Sequence, residues 1–158
     1  MPDPLNLLAK LRRCPPADRA LLAEAFVLLL IAAPLLRLLH FRTIGRLVSR
    51  ALPGPPRHDP ALIRRIGWAV DRAARRSPLR ALCFEQGLAA QWMLRRRGID
   101  STLLFGAAPR ANGARPIDAH VWVQSAGQDV CGTPEPGRYA VLATFPAGRT
   151  TQAGAAPA

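Results

Sequence analysis

Leu94-Arg95-Arg96-Arg97-Gly98-Ile99-Asp100-Ser101-Thr102-Leu103-Leu104-Phe105 is the stretch in which the hydrophobic period of this chain changes. Before Gly98, apolar residues recur at helical spacing. Leu62, Ile63, Ile66, Val70 and Ala73 form one face as far as Arg76. Gly98 is the residue type that stops a helix, because it accepts the left-handed conformation of the C-terminal cap. After it, Ser101 to Phe105, Ala119 to Gln124, Asp129 to Cys131 and Tyr139 to Phe145 are short apolar or alternating runs bounded by Gly, Pro, Asn or Asp, which predicts strands. Ser125-Ala126-Gly127-Gln128 suits the loop of a hairpin. Helices followed by strands make an α+β chain.

Further upstream, Cys14-Pro15-Pro16-Ala17-Asp18 is a helix entrance, with Pro in the first turn and an acid suited to the helix dipole. The apolar run Ala25 to Leu36 spans about 12 residues, against the ~20 that a membrane crossing needs. It is expected as a buried helix, with a membrane-surface or partner-docking helix as the sharper alternative, and Pro34 is expected to end or kink it. A second helical pattern covers Leu35 to Leu52, with Leu36, Leu39, Ile44, Leu47 and Val48 on one side and Arg37, Arg42, Arg46 and Arg50 on much of the rest. Pro53-Gly54-Pro55-Pro56 then breaks the chain. Asp59-Pro60 is a capped helix start, and Ser77-Pro78 repeats the signal for a helix running through Cys83 to Arg97. The expected organisation is therefore a helical region over residues 1–56, a core over 57–146, and a small, polar, disordered tail over 147–158.

The length suits one ordinary domain, and 49 % apolar residues with 20 % charged argue against a disordered chain. The net charge is +12, and Lys10 is the only lysine. So basic a chain suits an acidic partner or an anionic membrane, although an Arg-, Ala-, Pro- and Leu-rich composition is also what a GC-rich genome encodes. The arginines are spread along the chain with few aromatics among them, which disfavours a nucleic-acid groove. Cys14, Cys83 and Cys131 leave an odd thiol, and residues 1–10 lack a basic start and a cleavage site. A reducing cytoplasm without structural disulfides is the simplest reading. No two cysteines or histidines have zinc-ligand spacing, and neither metal nor cofactor is expected.

Thiol chemistry needs a thiolate, a base, and a group that orients the base. Cys83 falls in or near the first turns of a helix, where the backbone dipole favours the anion. His120 falls in the strand pattern Ala119-His120-Val121-Trp122-Val123. There His120 and Trp122 share one face, and Val121 and Val123 the other. Trp122 either walls a substrate groove or packs in the core. Asp118 is expected on the face opposite His120, Cys131 as a buried strand residue, Cys14 as a surface thiol, and His40 and His58 as exposed.

Three segments together resemble a known family. They are Arg80-Ala81-Leu82-Cys83-Phe84-Glu85-Gln86-Gly87-Leu88-Ala89 with the Arg95-Arg96-Arg97-Gly98 helix end; Thr102-Leu103-Leu104-Phe105-Gly106; and Asp118-Ala119-His120-Val121-Trp122-Val123 with the closing Gly132 and Tyr139 to Phe145. Over about Pro15 to Phe145 the chain is similar to the lasso-peptide leader peptidases of the transglutaminase-like cysteine protease superfamily. The resemblance implies a transglutaminase/papain-like core in which a Cys-bearing helix packs on a small antiparallel sheet. It makes Cys83 the nucleophile and His120 the base of a peptidase that removes the leader from a ribosomally made precursor. The partners implied are that precursor peptide, a separate leader-binding protein, for which Leu21 to Leu36 offers a docking surface, and a cyclase. Such families place an acid about a dozen residues after the His. Here Gly132 stands near that place, Asp129 is the nearest acid and Glu135 the second, so Asp129 is expected to orient His120, with a backbone carbonyl as the alternative. An oxyanion site is expected at the Cys83 backbone N–H, with Gln86 and Arg80 nearby. Another acyl transferase or amidase of the superfamily, or a non-catalytic Arg-rich adaptor, would fit the same residues.

Overall fold

The computed structural model describes residues 14–49, 54–78, 82–109 and 117–146. The tail over 147–158, Pro53 of the Pro53-Gly54-Pro55-Pro56 break, the start of the chain and Arg80 lie outside the described residues. Among the described residues four helices, α1 (Pro16–Leu38), α2 (Phe41–Val48), α3 (Pro60–Ala74) and α4 (Cys83–Arg96), precede four strands, β1 (Thr102–Pro109), β2 (Ile117–Ser125), β3 (Gln128–Cys131) and β4 (Ala140–Phe145). The strands form one antiparallel sheet in the order β3-β2-β1-β4. The fold is α+β.

Pro lies in the first turn of α1, and Asp18 there forms an ion pair with Arg65 of α3 at 2.7 Å. Leu21, Ala25, Leu29, Ala32 and Ala33 are its buried face. The helix does not end at Pro34 but runs on to Leu38. An interior proline leaves a gap in the ladder, giving up its bond to the residue four before it and crowding that carbonyl with its ring. Burial of Ala32 and Ala33 holds one side of that gap, and the Leu39 N–H donates to Leu35 O at 2.9 Å on the other. The second helix is correspondingly shorter than its sequence pattern, and its Ile44 and Val48 pack with Ala32 and Leu88.

Asp59 caps α3 as expected, its Oδ1 accepting from the Leu62 N–H at 2.9 Å. Ser77, Pro78 and Leu82 are not helical, and the helix expected to run from Ser77-Pro78 begins at Cys83, preceded by an extended Leu82 with φ −74° and ψ 176°. Gly98 terminates α4 at φ +72°, as its residue type requires. Glu24 of α1 ties down that end, pairing with Arg96 at 2.7 Å and Arg97 at 2.5 Å.

The helices cover one face of the sheet. Leu21, Ala25 and Leu29 of α1 share a single core with Ile63, Ile66 and Val70 of α3, Met93 and Leu94 of α4, and Leu103, Val121 and Val123 of the sheet. Close approach is permitted by glycine: a Cβ on Gly67 would collide with the Val130 carbonyl, and one on Gly87 would sit 2.7 Å from Val121 Cγ1. Fully buried Gln91 donates through Nε2 to Ser101 O at 3.2 Å and Phe145 O at 3.1 Å. It thereby fixes α4 against both the entry to β1 and the end of β4. The β2–β3 hairpin turns through Ala126 (φ 50°) and Gly127 (φ 76°), the double positive φ of a two-residue type I′ loop.

Candidate active site

Cys83 is the first residue of α4 and is half-buried. No side chain caps this helix end. The leading N–H groups of any helix lack intrahelical acceptors. A thiolate at Cys83 stands at the positive end of the α4 dipole.

One turn further, Gly87 lies against Val121 and Leu103, so the Cys-bearing end of α4 abuts the part of β2 that carries His120. The imidazole itself leaves β2 on the other side, with Trp122. The two rings are 6.1 Å apart and inclined by 18°, while Tyr139 stacks on the imidazole at 5.1 Å and 28°. Trp122 is buried, its ring filling the space where a Cβ of Gly106 would be, so it packs in the core. The Tyr139 hydroxyl donates to Asp118 Oδ2 at 2.9 Å, which also pairs with Arg138 at 3.1 Å. Asp118 thus serves the same cluster as His120. The expectation that it faces away is corrected: residues two apart on a strand share a face.

His120 Nε2 lies 2.6 Å from the carbonyl oxygen of Gly132. A carbonyl only accepts, so Nε2 carries the proton, and in the neutral tautomer the lone pair is then at Nδ1. Gly132 is held for this by its own geometry. Its φ is +69°, and a Cβ would stand 2.6 Å from the Val121 carbonyl oxygen. Asp129 is exposed, in register with Gln124, and its Oδ1 accepts from Gln124 Nε2 at 2.8 Å. Glu135 accepts from Arg138 at 3.1 Å. The structure therefore places Gly132 at the imidazole and both candidate acids on other partners. Among the described residues no hydrogen bond joins the Cys83 thiol to His120.

Cys131 pairs with Val123 across β2–β3 and is buried, its Sγ directed at Gln86 O, 3.8 Å away. Burial pushes its thiol up to about 12, the negative charges of Asp129 and Cys83 acting in the same direction and a backbone hydrogen bond from Val123 opposing. It stays a neutral thiol and is no competitor to Cys83 as nucleophile. The backbone carbonyl offered as the alternative to Asp129 is that of Gly132, the residue standing near the expected place of the acid; which carbonyl it is has no signature, since every residue carries one. Tyr139, which escaped sequence reasoning, had a faint signature, as the only tyrosine, directly before a strand.

The sequence matches the family described as the transglutaminase-like superfamily over residues 26–144, about three quarters of the chain. No curated protein and no solved structure matches it. With that match spanning the helix that begins at Cys83 and the strand that bears His120, the chain belongs to the transglutaminase-like superfamily, whose members are usually cysteine proteases or acyltransferases.

Proposed function

We propose that this chain is a cysteine peptidase that removes the leader peptide from a ribosomally synthesised precursor of the lasso-peptide type. The observation that carries the reading is the His120 Nε2–H to Gly132 carbonyl bond, which turns a strand histidine into a base with a defined tautomer. Cys83 is the nucleophile and His120 the general base. The thiol proton passes to Nδ1 as sulfur attacks the scissile carbonyl, and the imidazolium then gives that proton to the departing amine. Water hydrolyses the thioester and the thiol is regenerated. The Cys83 backbone N–H, without an acceptor in the first turn, faces the developing oxyanion. The carbonyl of Gly132 takes the orienting role expected of Asp129. The reading requires the Cys83 thiol and the His120 imidazole to come within hydrogen-bond reach when substrate binds, as catalytic contacts that are loose without substrate do.

A separate leader-binding protein presents the precursor, and a cyclase consumes the new N-terminus. The cytoplasm is the compartment, consistent with three free thiols. The test is incubation of the full chain with precursor peptides, with and without the leader-binding protein, followed by mass spectrometry. Cleavage with addition of one water, abolished by Cys83→Ala and by His120→Gln, is expected. An amine adduct in place of hydrolysis would reassign the chain to acyl transfer. An intact precursor under every condition, or cleavage that survives Cys83→Ala, refutes the reading.

A further inference from the structure

Helix α1 is apolar on two opposite faces, and among the described residues one of them packs into the core while the other is exposed. Leu21, Ala25, Leu29 and Ala32 lie in the core, yet Ala20, Ala23, Val27, Ile31, Pro34 and Leu38 are exposed, Val27 by 52 % and Leu38 by 79 %. At 3.6 residues per turn these six share an arc of about 80°, and the stripe is about 27 Å long. A helix on the surface of a soluble domain ordinarily turns polar residues outward, and a continuous exposed apolar strip marks a contact surface.

The charges beside the strip identify the contact. Arg19 and Arg37 are exposed, separated by five whole turns, and so lie on one flank at its two ends. On the other flank Glu24 is outnumbered by Arg96 and Arg97, both paired to it, with the Arg96 side chain 66 % exposed. The strip is therefore bordered by positive charge on both sides, within a chain of net charge +12. A second copy would bring the same positive borders and be repelled. An anionic lipid surface fits both features: guanidinium groups reach phosphates while the apolar strip enters the headgroup–acyl boundary. By length and composition α1 is also able to cross a membrane. Its opposite face, however, is embedded among α3 and α4, so the compatible geometry is a helix lying in the plane of the surface.

We propose that α1 docks the protein on an anionic membrane surface through the strip Ala20 to Leu38, with Arg19 and Arg37 on lipid phosphates. The experiment is co-sedimentation of the full chain with vesicles of phosphatidylcholine alone or mixed with phosphatidylglycerol, at low and high salt. Binding to the anionic vesicles that weakens with salt is expected. Arg19→Gln/Arg37→Gln should lower it by more than tenfold, each arginine near the surface contributing about fivefold. Val27→Glu/Ile31→Glu should lower it at least as much. Leu38→Glu, at the most exposed position, is the independent variant should the pair alter the circular dichroism. Vesicle binding undiminished in the strip variants would show attraction by diffuse charge and overturn the assignment to α1. So would absence of binding to anionic vesicles, whether the strip then proves to mediate a homodimer or capture of the leader-binding protein.

Discussion

The carbonyl oxygen of Gly132 and Nε2 of His120 stand 2.6 Å apart, across twelve residues of chain that turn back through the β2–β3 hairpin. The contact depends on a backbone conformation that L side chains avoid, φ +69°, and on the lack of a Cβ beside the Val121 carbonyl. Gly132→Ala is therefore expected to lower stability by about 1–3 kcal/mol. Displacement of the carbonyl that holds the base should cut kcat/KM for precursor cleavage by about 100-fold. Thermal unfolding and steady-state kinetics on one preparation check both.

Asp129 is exposed and bonded to Gln124. Asp129→Asn should change kcat/KM by no more than about twofold, as for a surface substitution worth up to about 0.5 kcal/mol. His120→Gln should remove the 10²–10⁴-fold that general acid–base catalysis typically supplies. A hundredfold loss in Asp129→Asn would return the orienting role to that carboxylate.

Tyr139 holds the imidazole from its face and is itself held by Asp118. Tyr139→Phe keeps the ring and loses one hydrogen bond, worth about 1 kcal/mol, so cleavage should fall by at most about fivefold. Tyr139→Ala also loses the stack, worth about 0.5–1.5 kcal/mol. Its deficit should appear in kcat with KM little changed, because the ring positions the base.

Cys131 links stability to alkaline pH. Its folded thiol titrates at about 12, raised above the ~8.5 of an ordinary thiol chiefly by burial. The unfolded chain thus loses this proton first. The contribution is fully present below about pH 8.5 and falls as pH rises toward 12, by at most ~1.4 kcal/mol per pH unit. Urea midpoints from about pH 8 to about pH 10.5 should drop more steeply for the wild type than for Cys131→Val. Parallel slopes would contradict the burial argument.

Local signals carried far along the chain. The switch of period at Gly98, the Asp59 cap, the Ala126-Gly127 turn and the shared face of His120 and Trp122 each depend on residues a few positions apart, and each is present as read. Where local signals competed with packing, packing won. Pro34 lies inside α1 because Ala32 and Ala33 are buried beside it, and Cys83, in place of Ser77-Pro78, stands at the first position of its helix.

What the sequence determined by itself was the α+β order, the superfamily, and the candidate nucleophile and base, because periodicity expresses the first and the residue types around Cys83 and His120 the others. What only the tertiary structure decided was the partner of the imidazole, the side on which Asp118 and Tyr139 meet it, and the unpaired apolar face of α1. A main-chain carbonyl has no letter of its own, and whether an apolar face is covered depends on which distant helices come to lie against it.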